Sequence, residues 1–223
     1  MLIAVEGLIG ASKSTNSQAL VDSGVCDKYI PEPVQDNPYL EDYYADSRST
    51  AFKMQVFLLN ARYKSFQKAQ WESLANPEIK IVADRSFYGD FAFARVQKEE
   101  GLMSDLDFST YQDLHLTYQM SLLFPELIIY LRLTPEQALE RINCRGRGCE
   151  SGIPLSYLED LNKAYEDMMI ELSKKTQVIY IDAYRSKEEV FQDCKQAVES
   201  VYSKIKENHK EGRFAGYMGS FVD

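Results

Sequence analysis

The sequence predicts an α/β fold, a five-stranded parallel sheet with helices on both faces, and three observations carry this. Five short apolar runs recur along the chain: Leu2–Val5 closing at Gly7, Lys28–Ile30, Ile79–Ala83, Leu127–Leu131 and Val178–Ile181. Each has the length and composition of a strand buried on both faces. Between them lie longer amphipathic stretches, and this alternation of strand and helix is the signature of a parallel sheet with crossover helices.

Taken in order, the first run passes into a polar segment of helical character after Gly7. Helices are then expected over Thr50–Trp71, Phe87–Glu100, Asp105–Phe124, Pro135–Cys144, Leu155–Lys174 and Lys187–Lys206. Pro135 and Pro154 sit where helices begin, since a first-turn residue has no intrahelical use for the missing N–H. No repeat, low-complexity segment or long linker divides the chain, so residues 1–207 read as one domain. Residues 208–223 read as a tail, whose Phe214, Tyr217 and Phe221 either dock on the body or on a second subunit, or belong to a frayed terminus.

The 223 residues carry a net charge of −9, with 34 acidic against 25 basic side chains. That balance disfavours a surface that tracks a nucleic-acid polymer, but leaves room for local Arg and Lys to hold a nucleotide. Cys26, Cys144, Cys149 and Cys194 show no close zinc-type pair, and His115 and His209 are far apart. No stretch is long enough to span a bilayer, and the first residues lack the basic start of an export signal, so no membrane role and a cytoplasmic, reducing compartment are expected.

Gly7-Leu8-Ile9-Gly10-Ala11-Ser12-Lys13-Ser14-Thr15 follows the first strand and opens a helix, the context of a phosphate-binding Walker A loop. In such a loop backbone N–H groups and the helix N-terminus surround phosphates, the lysine reaches the β/γ oxygens and the next hydroxyl binds Mg²⁺. Lys13 and Ser14 fit those roles, and the fold is therefore expected to be of P-loop NTPase type. Ser12 departs from the pattern, which has glycine there; a left-handed backbone at that position costs serine roughly 1–2 kcal/mol.

Three further segments bear chemistry. Glu32 follows the second apolar run, at the sheet edge where open α/β folds bind ligands, and suits a general base. Asp84-Arg85-Ser86 follows the third run: the acid suits Mg²⁺ or its water, and the guanidinium suits a transferring phosphoryl group. Arg141 and Arg145 share a helical face, with Arg147 beyond the helix end at Gly146, as in an Arg-rich lid. Each segment taken alone is also compatible with an ordinary solvated carboxylate, a structural ion pair or a basic helix end.

In this order the segments resemble the deoxynucleoside kinases, and most closely the bacterial deoxyadenosine/deoxyguanosine kinase branch. The carrying residues are Gly7–Thr15, Glu32-Pro33-Val34 with Asn37-Pro38-Tyr39-Leu40, Phe52-Lys53-Met54-Gln55 running to Arg62, Asp84-Arg85-Ser86, Arg141–Arg147 and Gly152-Ile153-Pro154-Leu155. The resemblance implies transfer of the ATP γ-phosphate, with Mg²⁺, to the 5′-hydroxyl of a deoxynucleoside in nucleotide salvage, and a homodimer. It implies that Glu32 takes the hydroxyl proton and that Tyr44 and Glu150 hold the 3′-hydroxyl. Gln55 would pair with the base, and Met54 and Phe93 would pack on it. Arg85 would lie near the phosphates, and Ser14 and Asp84 would serve the metal. Arg62 and Asp90 match the charged pair of family members that reject thymidine, so deoxyadenosine or deoxyguanosine is favoured, with deoxycytidine possible. Two alternatives stay open: a catalytically weakened nucleotide-binding regulatory subunit, which Ser12 suggests, and a nucleoside monophosphate kinase.

Overall fold

The computed structural model describes residues 1–33, 37–146 and 152–210. Its centre is one parallel sheet of β1 (Leu2–Gly7), β2 (Lys28–Ile30), β3 (Ile81–Asp84), β4 (Leu127–Arg132) and β5 (Gln177–Asp182), in the order β2-β3-β1-β4-β5. The helices are α1 (Lys13–Asp22), α2 (Leu40–Ala45), α3 (Ser47–Ala75), α4 (Asp90–Glu99), α5 (Asp105–Gln119), α6 (Pro135–Arg145), α7 (Leu155–Ser173) and α8 (Lys187–Lys210). The predicted α/β class and strand number are therefore observed. β1 and β3 are buried at every position, as expected of strands covered on both faces. α1 packs with α8, while α3, α4 and α7 pack in series and α3 also reaches β1 and β3.

Several boundaries differ from expectation, three of them for a local reason that the hydrogen bonds show. The third strand starts at Ile81 because the Ile79 N–H turns back to the Asn76 carbonyl and the Lys80 N–H is taken by Asp27. The helix expected from Phe87 starts at Asp90, because the Ser86 hydroxyl accepts the Tyr88 and Gly89 N–H groups in a turn. α5 ends at Gln119, well before Phe124, in a succession of tight turns over residues 120–122. α8 continues through residues 208–210, where the tail was expected to begin, and residues 211–223 lie outside the described part.

Register is what builds the site. Val5 pairs with Asp84, and Ala83 with Ile30, so the strands end level with one another. The phosphate loop after β1, Glu32 after β2 and Arg85 after β3 thus emerge at one edge, beside the point where strand order reverses.

Candidate functional site

A cavity of about 1290 Å³ opens at that edge. Gly10, Ser12, Lys13, Ser14, Thr15, Arg141 and Arg145 line it, together with Glu32, Arg85, Met54, Gln55, Arg62 and Phe93. One space therefore joins the phosphate loop to the side chains expected around a base.

The loop owes its shape to its small residues. Gly7 has φ 145°, and a Cβ there would run into the Leu131 carbonyl of the neighbouring strand. Ser12 adopts φ 62° and ψ 30°, left-handed, and directly precedes α1. Its carbonyl accepts the Asn16 N–H at 3.0 Å and the Asn16 side-chain amide at 2.9 Å, which fixes the start of the helix. Lys13 donates to the Leu8 carbonyl at 2.8 Å across the loop. Burial, helped by the nearby Arg85 charge and opposed by Asp84 and Glu32, brings its ammonium down to about 8. Leu8 and Ala11 are buried beneath the loop, so the contribution expected of them is confined to the backbone.

Glu32 stands between two guanidiniums. Its Oε1 accepts from Arg62 at 2.7 Å, and the Arg85 Nε lies 2.9 Å away. Burial alone would raise this carboxyl; the Arg85, Arg62 and Lys13 charges win and hold it at about 2. Arg85 is itself left-handed, φ 65°. It donates to the Gly7 carbonyl at 3.0 Å and to the Tyr165 hydroxyl, and it lies 4.8 Å over the Phe93 ring. Such strain persists where surrounding contacts over-determine it.

Arg62 spans Glu32 and Asp90, binding the latter through its other terminal nitrogen. Asp90 is fully buried and also accepts from the Gln55 amide at 2.8 Å and the Tyr111 hydroxyl at 2.6 Å. It is not among the side chains lining the cavity, so the expected charged pair presents its arginine and keeps its acid behind. Met54 and Phe93 both line the space, and Phe93 is overlaid by Arg62 as well as Arg85.

Ser14 donates to Asp84 Oδ2, while Asp84 Oδ1 is buried and without a partner. A hydroxyl and a carboxylate with an open oxygen fit a hard cation that fills its remaining positions with water and phosphate oxygens. No group of three or more His, Cys, Asp or Glu is gathered for a metal among the described residues. On α6, Arg141 donates to the Ala183 carbonyl at 2.6 Å and reaches the Ser12 hydroxyl at 3.4 Å. The side chain of Tyr44 and the residues Arg147 and Glu150 lie outside the described part.

The deoxynucleoside kinase family model matches residues 3–209, nearly the whole chain. This chain belongs to the deoxynucleoside kinase family. It is therefore an ATP-dependent phosphotransferase acting on deoxynucleosides. The chain is 38% identical over 180 residues to deoxyadenosine kinase of Dictyostelium discoideum, covering 81% of this chain and 71% of that protein. It is 36% identical over 169 residues to a deoxyadenosine/deoxycytidine kinase of Bacillus subtilis, covering 74% and 75%. The structure of deoxyadenosine kinase from M. mycoides with bound dCTP superposes with a TM-score of 0.77 at 32% identity, covering 90% of this chain and all of that one.

Several residues of this kinase site escaped the sequence reading. Glu6 is fully buried at the end of β1; its Oε1 accepts from the Ser86 N–H and hydroxyl at 2.7 Å each, and its Oε2 from Tyr165 at 3.2 Å. A charge inside an apolar run was the available signal. Tyr29, 3.4 Å from Asp84, and Gln97, 3.1 Å from Gln55, lie in segments whose pattern says only strand or helix.

Proposed function

We propose that this kinase transfers the ATP γ-phosphate to the 5′-hydroxyl of a purine deoxynucleoside, deoxyadenosine or deoxyguanosine, in nucleotide salvage, with deoxycytidine a weaker acceptor and thymidine disfavoured. The observation that carries this is the placement of Glu32 and Arg85 in one cavity, with Lys13 at its phosphate loop and Arg62 and Gln55 among the side chains expected around the base. The relatives named for deoxyadenosine and for deoxyadenosine/deoxycytidine support the choice of base.

The parts follow from the surroundings of the described residues and, for Tyr44, Arg147 and Glu150, from the family resemblance. The Gly7–Thr15 backbone and Lys13 hold the phosphates, and Arg141, Arg145 and Arg147 close over them. Ser14 and Asp84 are the groups that hold Mg²⁺, which when bound neutralises phosphate charge. Tyr44 and Glu150 hold the 3′-hydroxyl. Glu32 accepts a hydrogen bond from the 5′-hydroxyl; a carboxylate held near 2 is a weak base, so it aligns the oxygen and takes the proton late, which suits a loose phosphoryl-transfer transition state. Arg85 offers its charge to the transferring group. Arg62 presents donors at the base edge and leaves little room for a thymine methyl.

The test is ADP release, measured by a coupled assay with each of the four deoxynucleosides at millimolar concentration. Turnover is expected with deoxyadenosine or deoxyguanosine above deoxycytidine, and least with thymidine. No turnover above background with any of them overturns the proposal, and phosphorylation of dAMP in preference to deoxyadenosine would return the monophosphate-kinase reading.

The same reading includes a homodimer in the cytoplasm. α3 and α5 pack on each other, and Trp71 and Leu74 on α3, Leu116 on α5 and Met120 just after it are exposed apolar side chains that a second copy of the chain would cover. Cys26, Cys144 and Cys194 are free thiols, as a reducing compartment would keep them, and no described helix is long and apolar enough to cross a membrane. Light scattering on the purified chain tests the dimer; a monomer at micromolar concentration removes it.

A further inference from the structure

Tyr165 lies fully buried in the middle of α7 and has no part in the reaction as set out above. Its hydroxyl stands between two groups that decide which way it points. A guanidinium only donates, so the hydroxyl accepts from Arg85 Nη1 and sends its own hydrogen to Glu6 Oε2 at 3.2 Å. Glu6 is held in turn. Its Oε1 takes the Ser86 N–H and hydroxyl, and a Cβ on Gly89 would run into its carboxylate.

Arg85 is thereby fixed nitrogen by nitrogen. Nη1 spends its hydrogens on the Gly7 carbonyl at 3.0 Å and on Tyr165, and Nε lies 2.9 Å from Glu32. Nη2 makes no hydrogen bond to the described residues. The guanidinium also lies between two rings, Phe93 at 4.8 Å and Tyr165 at 5.8 Å. Arg85 and Phe93 line the cavity and Tyr165 does not, so an effect of Tyr165 on the reaction passes through Arg85.

We propose that Tyr165 is a positioning residue for phosphoryl transfer: by taking one Nη1 hydrogen it turns the Arg85 fork so that Nη2 is left for an oxygen of the transferring group. This rests on, and deepens, the part given to Arg85 above. A long side chain on a left-handed backbone, φ 65°, reaches one place only if its far end is held. A misplacement of about 1 Å costs up to roughly a hundredfold in rate. The charge that Arg85 meets develops in the transition state, so the cost falls on kcat and not on KM.

The experiment is a double-mutant cycle on the full chain, with transfer from radiolabelled ATP followed under single-turnover and steady-state conditions. Tyr165→Phe keeps the ring and removes only the hydroxyl. It is expected to lower kcat by roughly tenfold to a hundredfold, with KM for ATP and for the deoxynucleoside within about threefold. In the Arg85→Ala background the same substitution is expected to change the rate by less than about twofold, whereas damage unrelated to Arg85 would multiply equally in both backgrounds. An unchanged kcat in Tyr165→Phe, a loss confined to KM, or an equal fold loss in both backgrounds overturns the inference. If Tyr165→Phe fails to fold, Glu6→Gln takes its place, since it removes the carboxylate that receives the hydroxyl hydrogen; its loss of kcat must likewise vanish in Arg85→Ala, and persistence there overturns the inference equally. A wild type that turns over no deoxynucleoside, or an Arg85→Ala that keeps full kcat, sinks the reading of the site itself, an outcome distinct from turnover that ignores Tyr165.

Discussion

Replacing Ser12 by glycine is the perturbation that separates a working enzyme from a weakened regulatory subunit. Ser12 holds φ 62° and ψ 30°, and the left-handed region costs a residue with a Cβ roughly 1–2 kcal/mol. Glycine removes that cost but gives back roughly 0.5–1 kcal/mol through the greater freedom of the unfolded chain. The net gain expected is about 0.5–1 kcal/mol. For a chain of this length that raises Tm by roughly 1–4 °C.

Activity is expected to change far less than stability suggests. The groups that hold the loop at Ser12 are backbone or belong to other residues: its carbonyl takes Asn16 twice, and Lys13 is tied to the Leu8 carbonyl. Only the 3.4 Å contact from Arg141 uses the Ser12 side chain, and Arg141 keeps its 2.6 Å bond to Ala183 without it. Ser12→Gly should therefore alter kcat/KM for ATP by less than about threefold, because a strained conformation already adopted gains little from relief. Scanning calorimetry and the coupled ADP assay measure both quantities. A fall in Tm would refute the strain argument, and a rise in activity of several orders of magnitude would show that serine had disabled the loop.

Three further outcomes follow from the buried charges. Glu6→Gln places an NH₂ against the donors from Ser86 or the one from Tyr165; a loss of roughly 1–3 kcal/mol and a fall in kcat of at least tenfold are expected, since Arg85 also loses the buried carboxylate charge 3.9 Å from its guanidinium, and unchanged Tm and kcat would refute it. Lys13 titrates at about 8 in the free enzyme, so kcat/KM for ATP should fall as pH rises above about 8, and Lys13→Arg should flatten that limb; a flat wild-type profile from pH 7 to pH 9.5 contradicts it. Burial lowers His115 to about 4, below its unfolded value near 6.5, so stability is retained above about pH 6.5 and is lost as pH falls towards 4. By pH 4.5 the loss is about 2–3 kcal/mol, and urea denaturation of His115→Phe should lack it.

The sheet was legible because each strand is a short apolar run that must be buried on both faces, and parallel pairing left one edge at which to look for chemistry. The Walker loop was legible because phosphate binding by backbone imposes a spacing. α2 was not, because Leu-Glu-Asp-Tyr-Tyr-Ala carries no apolar period. The supporting side chains were hidden for a different reason. Glu6, Tyr165 and Gln97 lie on different elements and meet Arg85, Gln55 or one another only through tertiary packing, with sequence separations of up to 159 residues, that of Glu6 and Tyr165. Their environment is a property of the fold, and no local pattern encodes it. Arg62 and Asp90 were reached through resemblance, and geometry then distinguished them: the arginine faces the cavity, and the acid saturates itself on protein donors.

That distinction bears on how selectivity and catalysis are joined. One guanidinium, Arg62, binds Asp90 at the base end and Glu32 at the reacting end. On the proposed roles, a 5′-hydroxyl that engages Glu32 competes with Arg62 and Arg85 for the same carboxylate oxygen, and Arg62 is freed to turn towards the base. A nucleoside whose edge accepts from Arg62 lowers the cost of releasing Glu32; one that offers no acceptor leaves the arginine where it is and the carboxylate weakly basic. Base recognition would then appear in kcat as well as in KM, because the group that reads the base is also one of the groups that set the proton affinity of Glu32.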